Sequence, residues 1–407
     1  MKRYLSVALG ILTAIGGFVD IGDLVTNAEV GARFGTSLIW STALGVLGIC
    51  LFAEMSGRIA AVSGRAVFDL IRERLGPRIG LLNLVASTAI TLLTFIAEIG
   101  GVALSIELAA SVNYLFVIPL VALLVWLLLL KAKFSVIENG LGLLGLALVV
   151  FGVALWQLHP DWAGLGHQAV TLDKPEGEQW MPWAYYAVAL LGAAMTPYEV
   201  FFFSSGGVEE KWSAKDLGVM RANVLIGFPL GGLLSVAIAA TTWLVLPGMQ
   251  IDSLDQVSQP VEHALGSLGL AVVIVGFVAA TFGAACETGL SVGYSIGQYV
   301  GAQWGKYVKP REAALFHWVI LGSTLLAVAV LMTAVDPIMV TEISVIFSAI
   351  ALPLTYFPIL VVANDKDYVG EHVNKPWVNV LGTFFLVVTV VVAVAAIPLM
   401  ILTRMGS

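Results

Sequence analysis

The sequence predicts an all-α membrane protein that crosses the bilayer eleven times. Three observations lead there: recurrent long apolar stretches, the placement of basic residues between them, and two interruptions at matching places in the series. Of the 407 residues, 59% are hydrophobic and 12% charged, and the mean hydropathy is +0.95, far from the mixture of a water-soluble domain. About 18 consecutive apolar residues are enough for a helix to cross a hydrocarbon core roughly 30 Å thick.

Eleven such stretches run over residues 5–33, 36–57, 79–111, 113–131, 136–156, 180–206, 219–246, 264–300, 312–333, 340–362 and 377–402. The first does not read as a cleavable signal. Gly17, Asp20, Gly22 and Asp23 interrupt it, and no small-residue cleavage site precedes a mature domain. The connections are short apart from an inner one from Arg58 to Arg78 and an outer one from His159 to Gln179. The outer one mixes Gly, Pro, Asp and Glu as a solvated loop does.

Lys and Arg are retained on the cytoplasmic side of membrane proteins. With the N-terminus inside, all of the 20 Lys and Arg residues except Arg33, Lys174 and Arg404 fall in inner segments, Lys2 and Arg3 among them. The odd number of spans then puts the C-terminus outside, and an inner (plasma) membrane location is expected. A net charge of −7 and a pI near 5.3 speak against a generally basic nucleic-acid surface. Cys50 and Cys286 lie inside spans without metal-ligand spacing and read as packing residues. Gly289, Gly293 and Gly297 recur every four residues, a spacing that lets helices approach closely in lipid.

Two spans are interrupted. In the first, Asp20-Ile21-Gly22-Asp23 comes after about fifteen apolar residues, and glycine beside two carboxylates disfavours regular helix. In the sixth, Gly192 to Glu199 contains Pro197, which removes an amide donor and clashes with the preceding turn. Backbone groups freed at membrane depth are tolerated only where protein or a water-filled cavity satisfies them. The two breaks are therefore expected to form one site. Residues 1–160 and 180–362 then read as two five-span sets of opposite orientation, each opening with a discontinuous helix, and 377–402 as an additional helix. This is the layout of inverted-repeat membrane proteins.

Charged residues in spans are functional pointers. Asp20, Asp23, Glu54, Glu98, Glu107, Glu199 and Glu287 lie in or at the edges of spans, with no Lys or Arg near a span centre. Such carboxylates must be protonated, face water or meet a mobile cation, and a dication would satisfy Asp20 and Asp23 together. A capping role for these two is the alternative. For Glu199 capping or gating stands beside metal contact, and for Glu98 a proton-accessible acid stands beside a carboxyl bonded to a neighbouring helix. Tyr198 is a ligand or a pocket wall, while Glu54, Glu107, Glu287 and His317 read as structural. No nucleophile, base and orienter meet at the breaks, so no enzyme is expected.

At these breaks the sequence resembles the Nramp family of divalent metal transporters. The run from Asp20-Ile21-Gly22-Asp23 through Gly31, Phe34 and Gly35 to Trp40 is similar to the family's Asp-Pro-Gly-Asn motif and the helix after it. The inner segment Ser63-Gly64-Arg65-Ala66-Val67-Phe68-Asp69-Leu70-Ile71-Arg72-Glu73-Arg74 is similar to the loop between the family's second and third spans. Leu352-Pro353, Asn364-Asp365-Lys366-Asp367-Tyr368-Val369-Gly370 and Asn374-Lys375-Pro376-Trp377-Val378-Asn379 are similar to its tenth span and the loop beyond. The resemblance implies a LeuT-type 5+5 inverted repeat with broken first and sixth helices. It also implies a single membrane transport domain, a divalent cation and the lipid bilayer as partners, and no cofactor.

The departures point to a branch resembling Nramp-related magnesium transporters. Ile21 replaces the family's proline, Asp23 its asparagine, and Thr196-Pro197-Tyr198 stands for Met-Pro-His. Thioether sulfur favours softer metals, whereas carboxylate, hydroxyl and carbonyl oxygen suit magnesium, calcium and manganese. Asp20, Asp23, Thr196, Tyr198 and Glu199 are the implied metal-site residues, with Mg2+ or Mn2+ the expected ion. Of the two acids the family's third span uses for proton movement, Phe95 and Glu98 occupy the places, leaving Glu98 as the candidate proton pathway. Proton symport through Glu98 stands beside passive uptake driven by the metal gradient and the membrane potential, with the loss of one acid favouring the passive route. An organic-solute (amino-acid) transporter of the same architecture, and a metal sensor or channel, remain alternatives.

Overall fold

The computed structural model describes residues 2–406, with side chains from Ala8 onward. The side chains of Lys2 and Arg3, counted above among the inner charges, lie outside the described residues. The described chain is helical, without strands. In order, α1 (Lys2–Gly17) and α2 (Ile21–Phe34) are the halves of the first span, followed by α3 (Ile39–Ser63), α4 (Val67–Ala110), α5 (Tyr114–Lys131) and α6 (Phe134–Gln157). A short α7 (Trp162–Val170) precedes α8 (Trp180–Ala194) and α9 (Pro197–Glu209), the halves of the sixth span. Then come α10 (Leu217–Val245), α11 (Leu254–Val300), α12 (Ala314–Leu331), α13 (Pro337–Val362), α14 (Lys366–Val369) and α15 (Pro376–Leu402).

Among the described residues, ten helical segments are long and apolar enough to cross a membrane, and the bent pair α1 and α2 makes an eleventh. The two broken spans differ. The first bends by 63° between its halves, whereas α8 and α9 pass as one apolar segment, Trp180–Glu209, despite their break. Proline explains the mild interruption: Pro197 opens α9 at a position where its missing N–H is not needed.

Two helices begin before their expected starts. Both α4 and α11 enter the apolar stretch through a glycine with positive φ, Gly76 (φ 84) and Gly266 (φ 67). The expected starts at 79 and 264 lie beside these kinks, and the polar residues before them form helix of their own. A capping box of Ser253 and Gln256 starts that first part of α11. The connection over 159–179 is likewise not all loop, since Asp161 caps α7 by accepting the amide of Ala163 at 3.1 Å.

Small residues set the helix crossings as expected. A Cβ on Gly289 would come within 2.8 Å of Leu129, and one on Gly293 within 2.8 Å of Phe316. Cys50 and Cys286 are free and buried. The two loop segments that carry the resemblance, far apart in sequence, meet with Arg58 in one polar cluster. Arg58 donates to Asn374 Oδ1 at 2.6 Å and to the His372 carbonyl, Arg74 pairs with Asp365, and the Tyr368 hydroxyl donates to Glu73 at 3.3 Å. Glu54 pairs with Arg58 at 3.1 Å and Arg221 at 2.9 Å, the structural role expected of it.

At the opposite end α2 is tied down by Arg33, which pairs with Glu178 at 3.1 Å and Glu29 at 3.7 Å and stacks over Phe34 and Tyr186. Glu29 also accepts the Ile251 amide at 2.6 Å and the Tyr186 hydroxyl at 3.3 Å. These bonds join the second half of the first span to the loops around it.

Candidate functional site at the two helix breaks

Asp20 sits in extended backbone (φ −106°, ψ −176°) and is the N-cap of α2. Its Oδ1 accepts the Asp23 amide at 2.9 Å, and its Oδ2 accepts the Tyr198 hydroxyl from α9 at 3.2 Å. The capping role is therefore present, but an ionised carboxylate offers about four lone-pair positions, so these two bonds leave acceptor capacity. The cap requires Gly22: a Cβ there would stand 2.9 Å from Val345 Cγ2 and 3.0 Å from Asp20 Oδ1.

Asp23, also buried, accepts from Asn27 Nδ2 at 3.4 Å while the same amide bonds the Asp23 carbonyl at 2.9 Å. Across the gap Thr196 is the N-cap residue of α9, and its hydroxyl donates to Glu199 Oε2 at 3.4 Å. The Met195 carbonyl freed by the sixth break is taken by the Tyr356 hydroxyl of α13 at 3.0 Å. One of the backbone oxygens expected to face the site is thus already engaged. The Met195 thioether lies elsewhere as well: a Cβ on Gly48 of α3 would meet its Sδ at 2.7 Å.

Asp20 and Thr196 line one small cavity of about 10 Å³, together with Glu98 and Thr94 of α4 and Thr341, Ser344 and Ser348 of α13. No sulfur lines it among the described residues. Glu199 faces a neighbouring cavity of about 70 Å³, with Glu287 of α11, Glu138 of α6 and Gly17 at the end of α1. That cavity shares Gly10, Thr13, Glu138, Phe203 and Asn223 with a third of about 240 Å³, which reaches Glu210 and Asp216 beside the basic loop of Lys211 and Lys215. Among the described residues no three His, Cys, Asp or Glu side chains converge as a metal cluster. The arrangement is one of dispersed oxygens around small spaces, suited to a cation that keeps part of its water.

The structure therefore brings Asp20, Thr196 and Glu98 to one cavity and Tyr198 to Asp20 by a hydrogen bond. Glu199 lies across the second break on the adjoining cavity, and Asp23 lines neither. Glu287, read from sequence as structural, lines the second cavity, and Glu138 and the α13 hydroxyls were missed. The signal for the latter was present: Thr341, Ser344 and Ser348 follow i, i+3, i+7 spacing on one helix face. Glu138 stands near the start of an apolar stretch, where an acid passes for an interfacial residue.

An all-helical chain with one sharply broken span, a mildly interrupted sixth and polar cavities between them is a multi-pass membrane transporter. Solved structures share the fold. The manganese transporter of Eremococcus coleocola, in a mutant form, superposes with a TM-score of 0.75 at 16% identity over 98% of this chain and 94% of that one. MHP1, a nucleobase-cation-symport-1 family transporter, gives 0.61 at 15% identity over 98% and 91%. Residues 10–398 match the family model "Nramp: Natural resistance-associated macrophage protein-like", and the chain belongs to that family. Similar proteins include "Divalent metal cation transporter MntH" of Klebsiella pneumoniae (strain 342), 26% identical over 391 residues, 93% of this chain and 89% of that protein. Its namesake in Yersinia enterocolitica serotype O:8 / biotype 1B is 24% identical over 386 residues, 92% of this chain and 90% of that protein.

Proposed function

We propose that this Nramp-family transporter carries divalent metal cations by alternating access, with a preference for hard ions such as magnesium or manganese. The observation that carries the reading is the cavity between the breaks, lined by two carboxyls and five hydroxyl side chains and by no sulfur among the described residues. Hard oxygen donors suit these ions. Magnesium dehydrates reluctantly and is held through few direct ligands, so the two carboxyls among these hydroxyls are enough protein ligands for it. The names of the similar MntH proteins support a divalent cargo.

In this reading Asp20 is the principal ligand, with Asp23, Thr196, Tyr198 and Glu199 completing or gating a partly hydrated site. The acids of the adjoining cavities, Glu199, Glu287, Glu138 and Glu210, line the way toward the basic loops, which lie on the cytoplasmic side of a plasma-membrane protein with its N-terminus inside. Residues 1–160 and 180–362 supply the two repeats that rock against each other. Entry needs no proton partner, because the membrane potential contributes roughly 2.3 kcal/mol per charge per 100 mV and twice that for a dication.

Flux into proteoliposomes with a panel of dications and an internal pH dye tests this. Magnesium and manganese uptake without acidification is the expected result. Dication-driven acidification overturns the uncoupled mechanism, and amino-acid uptake without metal flux overturns the cargo. A finer check uses Gly22→Ala, whose new methyl group crowds Asp20 Oδ1 and Val345. It is expected to raise the manganese Kd about tenfold, read by calorimetry, with the purified variant eluting as the wild type does.

A further inference from the structure

Glu98 is wholly buried in the middle of α4. Its Oε1 accepts the Ile21 amide, the first of α2, at 3.2 Å, while its Oε2 has no hydrogen-bond partner. A buried carboxylate oxygen left unpaired is costly, and native structures rarely tolerate one without a water or an ion to meet it. Glu98 lines the same cavity as Asp20 and Thr196, and its other polar walls are Thr94, Thr341, Ser344 and Ser348. Thr94 and Ser344 already bond each other at 2.8 Å. The space, about 10 Å³, admits one water-sized particle.

The donor on the other side is specific to this sequence. Proline has no N–H, so the amide that holds Glu98 exists because Ile21 occupies the second position of the break. The bond fixes the carboxyl in one orientation with the free oxygen left over.

We propose that Glu98 positions the transported dication through water: Oε2 accepts a hydrogen bond from a water retained in the cation's shell, and the Ile21 amide fixes the carboxyl for that purpose. The inference rests on the cargo and site proposed above and adds a residue that selects for a hydrated ion. A metal-bound water has given one lone pair to the ion and its polarised O–H groups donate far more strongly than its oxygen accepts, so an acceptor is favoured where Glu98 presents one. Carboxylate acceptors are the strongest of the kind.

Glutamine separates the two oxygens' roles, because its carbonyl can still accept from Ile21 while its amide offers the water a donor it cannot use. Binding of magnesium and manganese to the detergent-purified full chain is measured by calorimetry for the wild type, Glu98→Gln, Ile21→Pro, their double variant and Asp20→Ala. Glu98→Gln is expected to raise both dissociation constants roughly tenfold or more. Ile21→Pro is expected to raise them less, and the double variant to fall short of the product of the two. A purely structural role would lower the melting temperature of the metal-free protein and leave the Kd of the folded fraction unchanged, and that result overturns the proposal. Should Glu98→Gln fail to fold, Ile21→Pro decides: wild-type affinity in it overturns the role of the pinning bond, and weakened affinity supports it. Asp20→Ala separates the two levels. If it binds metal normally, the site itself is misassigned, whereas loss of binding there with normal binding in Glu98→Gln removes only the role of Glu98.

Discussion

Asp20→Ala is expected to lower dication affinity by at least about 100-fold, equivalent to roughly 2.7 kcal/mol, and to reduce uptake to background. Asp20 is the residue that ties both breaks together: it caps α2, accepts from Tyr198 of α9 and lines the cavity between them. Its loss removes a carboxylate from a buried site, where water cannot replace it and where charge-assisted bonds are at their strongest. The variant also leaves the Asp23 amide and the Tyr198 hydroxyl without their acceptor. Asp20→Asn serves as the control, since its side-chain oxygen can still cap α2 while the charge is gone. Calorimetric Kd for manganese together with vesicle uptake gives the reading, and unchanged values in Asp20→Ala sink the site assignment.

Thr196→Met is expected to raise cadmium affinity about tenfold, near 1.4 kcal/mol, with little gain for magnesium. The wild-type site presents oxygen alone, and the nearby sulfur of Met195 packs away against Gly48. A thioether at position 196 supplies the soft ligand that cadmium favours and magnesium does not use. Methionine is flexible enough to adapt to the site, and Glu199, which the Thr196 hydroxyl contacts, borders a cavity of about 70 Å³. The variant also releases Glu199 from the Thr196 hydroxyl. Adding Asp23→Asn lowers the charge near the break and is expected to widen the preference for softer ions. Competition of cadmium against manganese uptake measures the change. A wild type that already binds cadmium far more tightly than manganese and ignores magnesium contradicts the oxygen-site argument, whatever Thr196→Met does.

Much of the architecture was legible in the residues because a bilayer imposes a simple rule. Every span must be long, apolar and internally hydrogen-bonded, so the chain's apolar stretches reappear as helices within a few residues of their expected ends. Two exceptions, α4 and α11, come from positive-φ glycines that join polar helix to membrane helix. The breaks were legible for the same reason, since Asp20, Gly22, Asp23 and Pro197 are residues a continuous apolar helix does not favour. How strongly each break bends was not, because proline at the first turn of a new helix lets the two halves of the sixth span run on as one segment.

Local chemistry alone thus marked the spans, the two interruptions and the residues of oxygen rather than sulfur character at them. Contacts between distant segments settled the rest. Glu98 could be read as a proton relay or a bonded carboxyl, and only the approach of α4 to the first break shows it accepting the Ile21 amide. Met195 and Thr196 are neighbours in sequence, yet the helix ending at one and starting at the other sends the sulfur to α3 and the hydroxyl to the cavity. Glu138 and Glu287 acquire a shared cavity only when α6 and α11 pack beside α1. Span position and helix interruption depend on neighbours along the chain, whereas the side chains facing a shared space depend on which helices meet there and on the small residues that let them meet.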